Sequence, residues 1–458
     1  MSEAQTPVSP PLASRRDFLG TSAAVAVGAG LAGSLSLGRA AHAAGDDTIK
    51  IGLIGCGGRG TGAVRDALET GERLKVVAMG DAFEDRLASS LKNLENLRKD
   101  EKYKDSIDVP KERQFVGFDA YKQVLEAGVD LVILATPPGF RPIHFQAAIE
   151  AGKHVFMEKP VATDAAGVRQ VLAAAKVAKE KNLGVGVGLQ RRHQAHYIDA
   201  MQRLHDGVIG DVLYSRVYWN GTPPWVRPRV DLEKQYKRKL TEMEYQMRNW
   251  YYFTWLCGDN ICEQHIHNLD VGNWFKGAYP VMASALGGAQ VMKGADYGEK
   301  FDHHAVEYVF ADGTRMFSQC RQIPGCWNSV TEHFHGTKGT AKLDGNGGEI
   351  VIAGGETIQL GNSGRGRGRK RDPMANPYRV EHADLLKSIR SGSPENEAER
   401  GALSSMTAIL GRMASFSGKE VAWDKALNSQ LNLVPTEFGW DVSPPVPSMA
   451  MPGQTQVV

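Results

Sequence analysis

Residues 49–62 read IKIGLIGCGGRGTG, and this stretch decides the fold. A short apolar run ends in Gly55-Cys56-Gly57-Gly58-Arg59-Gly60, and a helix-like pattern follows at once. Three glycines in such a G-x-G-x-x-G turn have separate physical tasks. Gly55 allows a tight turn, Gly57 lets backbone approach a pyrophosphate, and Gly60 permits close packing of helix on strand. The segment TGAVRDALETG then places Ala63, Val64, Ala67 and Leu68 on one helical face and stops at Gly71. Its free first-turn amides point at the anion. A second strand, LKVVAMGD, ends in Asp81. A carboxylate there accepts bonds from ribose hydroxyls and repels a 2′-phosphate, which favours NAD over NADP. Arg86, shortly after it, leaves dual use open.

From Ile49 to about Gly188 the chain alternates apolar strands with amphipathic helices. QFVGF precedes DAYKQVLEAG, DLVILATPP precedes HFQAAIEAG, and HVFMEKP precedes a long helix from about Asp164 to Lys181. This alternation predicts a doubly wound parallel sheet of the α/β class. Ligands of such a sheet belong at the carboxyl ends of its strands. Gly55, Gly57, Gly58, Arg59, Gly60, Asp81, Thr136, Pro137, Glu158 and Lys159 all fall there. His144, in the helix after the TPP turn, is grouped with them as a cofactor-side candidate.

Beyond about Arg191 the pattern changes. A helix (HYIDAMQRLHDG) and a strand (VLYSRVYWNG) lead into an aromatic, arginine-rich segment, and one helical stretch follows from about Asn260 to Phe275. Several β-patterned runs come next, with Asp312-Gly313 as a hairpin turn. These runs predict an α+β domain with a largely antiparallel sheet. GRGRGRKR at 364–371 reads as a basic loop, either solvated or anion-binding. Two helices and a Pro-rich segment finish the chain. The reading divides it into 46–188, 189–430 and a tail at 431–458.

The first 43 residues read as an export address. Ser14-Arg15-Arg16-Asp17-Phe18-Leu19 is a twin-arginine motif, followed by an Ala/Gly-rich run and a small-residue cleavage site at Ala41-His42-Ala43. The run is too weakly apolar for a stable membrane span. Twin-arginine export machinery carries folded proteins, so the expected location is the periplasm. The formal net charge of +2 argues for neither nucleic-acid nor membrane-surface binding. Cys56, Cys257, Cys262, Cys320 and Cys326 are an odd set in a disulfide-permissive compartment, and buried free thiols are expected for most.

Taken in order, the glycine turn, ATPP (135–138), AGKHVFMEKP (151–160), EQHIHNLD (263–270) and HGTKGT (335–340) resemble the Gfo/Idh/MocA family. The resemblance implies an NAD-binding Rossmann domain followed by an α/β domain. The open sheet of that second domain commonly forms a homo-oligomer contact. It also implies that Lys159 hydrogen-bonds the reacting hydroxyl, with Pro160 biasing its backbone away from helix. Its D-x-x-x-H pair maps onto Glu263 and His267, with glutamate replacing the usual aspartate. On one helix face, His267 would take the hydroxyl proton while Glu263 orients it.

Arg191, Trp219, Trp250 and His265 are candidates for contacting a carbohydrate or polyol, since aromatic faces pack on sugar rings and guanidinium groups bind hydroxyls. Arg192 and His193 are further pocket candidates. His-x-His at 265/267 and 333/335 and His303-His304 lack a zinc spacing, so no metal is expected. The expected activity is an exported NAD-dependent oxidoreductase with tightly bound nucleotide, because the periplasm offers no obvious pool of free NAD. The alternative is an NAD-dependent glycoside hydrolase working by transient oxidation, elimination and re-reduction.

Overall fold

The structure, a computed structural model, describes residues 47–361 and 376–458. The twin-arginine segment, its cleavage site and the GRGRGRKR loop lie outside the described residues. The chain begins by alternating β1 (Ile49–Ile54), α1 (Gly58–Leu68), β2 (Leu74–Asp81), α2 (Glu84–Glu95), β3 (Gln114–Val116) and α3 (Ala120–Glu126). It continues with β4 (Leu131–Leu134), α4 (Arg141–Glu150), β5 (His154–Met157), α5 (Ala165–Glu180) and β6 (Val185–Val187). The strands form one parallel sheet in the order β3-β2-β1-β4-β5-β6. Order reverses between β1 and β4, and that switch point opens the ligand crevice. Both faces are covered, which is why β4 reads LVIL with no polar residue. Alternate side chains feed separate cores: Ile54, Val132 and Leu134 on one face, Ile51, Leu53, Leu131 and Ile133 on the other.

The second sheet is built from β7 (Val212–Gly221), β8 (Met282–Gly288), β9 (His303–Val309), β10 (Arg315–Gln322), β11 (Ser329–Gly336), β12 (Gly339–Asp344), β13 (Gly347–Ile352), β14 (Thr357–Gly361) and β15 (Val421–Ala422). Its order is β14-β13-β12-β11-β7-β10-β9-β8-β15. Only β7 and β10 pair in parallel, so the sheet is mixed and largely antiparallel. Period-two alternation sends Val217, Trp219, Ser318 and Glu332 to the inner face, and Tyr214, Tyr218, Phe317 and His333 to the outer one.

The helices of this half are α6 (Ala195–His205), α7 (Arg229–Tyr236), α8 (Glu242–Arg248), α9 (Thr254–Cys257), α10 (Asn260–Glu263), α11 (Ile266–Lys276), α12 (Pro377–Arg390), α13 (Ala398–Ser417) and α14 (Trp423–Leu427). Helices α11 and α13 pack on the inner face. Residues Ile49–Val458 form one compact unit.

One expectation needs correction. The helix expected from 260 to 275 is broken at Gln264-His265 into α10 and α11. Asp259, at φ 76°, starts α10, and its carboxylate accepts from Asn260 N and Phe301 N, so the short helix is pinned separately. The segment read as a tail is packed into the body. Leu433, Val434, Phe438, Trp440 and Val442 join one apolar cluster with Phe140, Met247 and Trp255. All five cysteines are free thiols, and only Cys326 is exposed. No helix of the described residues is long and apolar enough to cross a membrane.

Candidate active site

The nucleotide side follows from backbone geometry. Gly55 sits at φ +98°, and a Cβ there would lie 2.5 Å from the Thr136 nitrogen. A Cβ on Gly60 would lie 2.0 Å from the Gly55 oxygen, so α1 can rest on the turn only with glycine at that place. Gly57 and Gly58 have open space on the Cβ side, and Gly57 caps α1 with no side-chain hydrogen bond. The first-turn amides are therefore left for an anion, and the residues fit the diphosphate of a dinucleotide. A cavity of about 340 Å³ runs from this turn past Asp81, Thr136, Pro137 and His144.

Each flanking side chain is held. Asp81 accepts from Cys56 N (2.7 Å) and Phe83 N (2.9 Å), which aims its carboxylate along the cavity edge. Burial raises its pKa while those amides oppose the rise. Thr136 Oγ1 lies 3.2 Å from His144 Nδ1, and burial, helped by the Arg141 charge, pushes that imidazole down to about 3. Arg59 lines the cavity with its guanidinium held from behind: its Nε donates to Glu158 Oε1 at 2.6 Å and its NH2 pairs with Asp66 at 3.2 Å. Glu158, expected on the cofactor, is thus the anchor of Arg59 and does not line the cavity.

The reactive side centres on Lys159. Its Nζ donates to the Glu263 carbonyl at 2.5 Å and lies 3.4 Å from Glu263 Oε1. Burial raises the Glu263 pKa, and the Lys159 and Arg141 charges oppose it. His267, in the first turn of α11, stacks on Trp219 with ring centroids 5.8 Å apart. Burial holds its pKa well below the ordinary value, with the Lys159 and Arg191 charges adding to the effect. The Glu263 carboxylate therefore serves Lys159 and makes no hydrogen bond to the imidazole, a consequence of the helix break between them.

Arg191 pairs with buried Glu332, and its guanidinium lies 5.9 Å from the Trp219 ring centroid. Glu332 also accepts from Tyr197 OH (2.9 Å) and Asn268 Nδ2 (2.6 Å).

Other candidates lie elsewhere. His265 is fully buried with Nε2 2.7 Å from Ser318 Oγ, so it is a core residue and not a substrate contact. Trp250 lines the nucleotide cavity beside Trp225, and Lys159 is not among the residues that line it. Arg192 forms a two-pronged pair with Asp270, and His193 lies between Asp384 and Glu397. Among the described residues no group of three or more His, Cys, Asp or Glu is placed to hold a metal.

Sequence reading passed over Arg141, which is buried and donates to Leu134 O, Thr136 O and Glu158 O. Its signal was a cation in the first turn of a helix, the end the dipole disfavours. Glu332 was also missed, although alternation placed that acid on the same strand face as buried Phe334. Met247, which also lines the cavity, carried no local signal, whereas Arg227 and Arg248 belong to the aromatic, arginine-rich segment that the sequence marks for ligand contact.

This architecture is that of a dinucleotide-binding domain joined to a second α/β domain. Residues 49–188 match the GFO_IDH_MocA family model, described as "Oxidoreductase family, NAD-binding Rossmann fold". Inositol 2-dehydrogenase 1 of Saccharopolyspora erythraea is 32% identical over 38% of this chain and 46% of its own length. The chain spans about half the length of the curated relatives it matches. Among solved structures, aldose-aldose oxidoreductase from Caulobacter crescentus, complexed with glycerol, superposes at TM-score 0.62 with 19% identity over 82% of this chain and 99% of that one. Levoglucosan dehydrogenase in complex with NADH and levoglucosan does so at TM-score 0.63 with 17% identity and the same coverage. The family match thus covers the N-terminal domain, residues 49–188, and the likeness to the two solved structures is one of fold.

Proposed function

We propose that this protein is an exported oxidoreductase acting on a carbinol carbon of a sugar, polyol or sugar derivative, with a resident NAD. The observation that carries the reading is the junction at Lys159, whose ammonium is held by Glu263 and lies near enough to His267 to depress its pKa. NAD, when bound, would supply the hydride acceptor. Lys159 Nζ donates to the substrate hydroxyl oxygen and stabilises the alkoxide character developing there. His267 Nδ1 is sealed from solvent, so Nε2 takes the hydroxyl proton, and the neutral imidazole keeps its lone pair available. Trp219 offers an apolar face to the C–H face of a ring.

Asp81 at the ribose position supports NAD over NADP. The twin-arginine motif supports export to the periplasm. The outer sheet face, where Leu286 is 79% exposed and Phe317 39%, supports homo-oligomer contact through that sheet.

The test is to expose purified, cofactor-loaded protein to sugars, polyols and nitrophenyl glycosides while recording NADH absorbance and nitrophenol together, with Lys159→Ala alongside. Lys159-dependent NADH accumulation is the expected outcome. Lys159-dependent nitrophenol release without net NADH assigns the redox-neutral glycosidase. Absence of any Lys159-dependent reaction overturns both.

A further inference from the structure

The nucleotide cavity is walled by an aromatic pair, Phe83 and Phe118, on the side of Asp81. Three separate parts of the chain converge on Phe83. Its own amide donates to Asp81 Oδ1 at 2.9 Å, so the ring and the ribose carboxylate move together. The Arg248 guanidinium lies 4.0 Å from the ring centroid and is itself fixed by Asp85 and Glu244. Trp440, near the end of the chain, packs on Phe83 at 5.1 Å and on Phe118 at 4.7 Å. Phe438 continues the contact, 6.1 Å from Phe118 and 5.0 Å from Phe140.

The approach to these rings is anchored at both ends. Leu433 N donates to Asp164 Oδ2 at 2.8 Å, and Gln246 Nε2 donates to the Pro445 oxygen at 3.2 Å. Gln246 in turn accepts from Trp255 Nε1 at 2.7 Å.

We propose that residues 433–445 are a working part of the nucleotide site: Trp440 and Phe438 are positioning residues that lock the Phe83–Phe118 wall and the Asp81 carboxylate. The strap makes the nucleotide resident instead of exchangeable. The physical basis is that a rigid wall carries its ordering cost before the ligand arrives, so the bound state dissociates more slowly. This inference rests on the reading of the cavity as a nucleotide site.

The experiment compares full-length wild type, Trp440→Ala, Trp440→Phe and Phe438→Leu. Nucleotide retained through gel filtration is quantified after acid extraction, and the release rate is followed by NADH fluorescence on dilution into excess NAD. Release is expected to be about tenfold faster for Trp440→Ala, the order that loss of aromatic packing gives, and close to wild type for Trp440→Phe. Wild-type release rates in a folded Trp440→Ala overturn the proposal. Should Trp440→Ala fail to fold, Phe438→Leu decides: faster release supports the strap, and an unchanged rate overturns it. A wild type that yields no nucleotide on acid extraction and also binds neither NAD nor NADH by calorimetry overturns the reading of the cavity itself and the strap with it.

Discussion

At the nucleotide cleft the working groups are backbone atoms: the bare turn at Gly57 and Gly58, the first amides of α1, and the amides of Cys56 and Phe83 that aim Asp81. At the Lys159 cluster they are side chains drawn from β5's end, α10, α11, β7 and β11, nearly all buried and charged or aromatic. The glycine turn of the first region is limited by backbone space, and its Asp81 wall by the rings packed behind it. The second depends on ion pairs whose loss leaves a charge stranded. Cost and kind of failure should therefore differ between them.

The sharpest contrast lies in Lys159→Ala. Turnover should fall on the order of 10³-fold, in the range of a lost proton-handling or charge-stabilising group, while NAD affinity by calorimetry stays within a few-fold. A parallel loss of affinity would break the separation of the two regions. Arg191→Ala should destabilise folding by about 3–5 kcal/mol, because Glu332 is left buried without its cation; urea unfolding measures it.

In the cleft, Gly60→Ala pushes a methyl onto the Gly55 oxygen and should cost roughly 1–3 kcal/mol as an overpacking strain. It should abolish nucleotide retention even where the fold survives.

A smaller effect tests the ion pairs behind the second region by pH. Burial works against charging His193, but its hydrogen bond to Asp384 and the Glu397 carboxylate 3.3 Å from Nε2 win and raise it to about 9. A pKa raised by folding stabilises fully below the unfolded value, about 6.5, and the contribution is lost as pH rises through about 9. Unfolding free energy should thus decline across that window, by on the order of 3 kcal/mol, and His193→Asn should flatten the slope. At the low end, Cys326→Ser should change stability by less than about 0.5 kcal/mol. Cys326 should also be the one thiol alkylated in native protein, since the other four are buried.

The parallel sheet and its glycine turn were legible because the signal is local. Glycine at 55, 57 and 60, apolar runs such as LVIL, and an acid at the end of β2 each state a backbone requirement within a few residues. The i,i+4 reading of Glu263 and His267 failed because the helix ends at Glu263 and restarts at Ile266, and Glu263 is taken by Lys159 from a distant strand end, which no helical periodicity encodes.

By itself, then, the sequence determined the fold class, the nucleotide turn and which residue types bear the chemistry, since these follow from sterics and periodicity along the chain. Only the tertiary structure decided what each side chain serves. Glu263 holds Lys159 and not the imidazole, Glu158 holds Arg59, Trp250 walls the cofactor cavity, and the last residues brace Phe83. Those pairings cross up to several hundred residues of chain, and burial fixes them: a charge or ring removed from water takes whichever partner the packed elements bring to it.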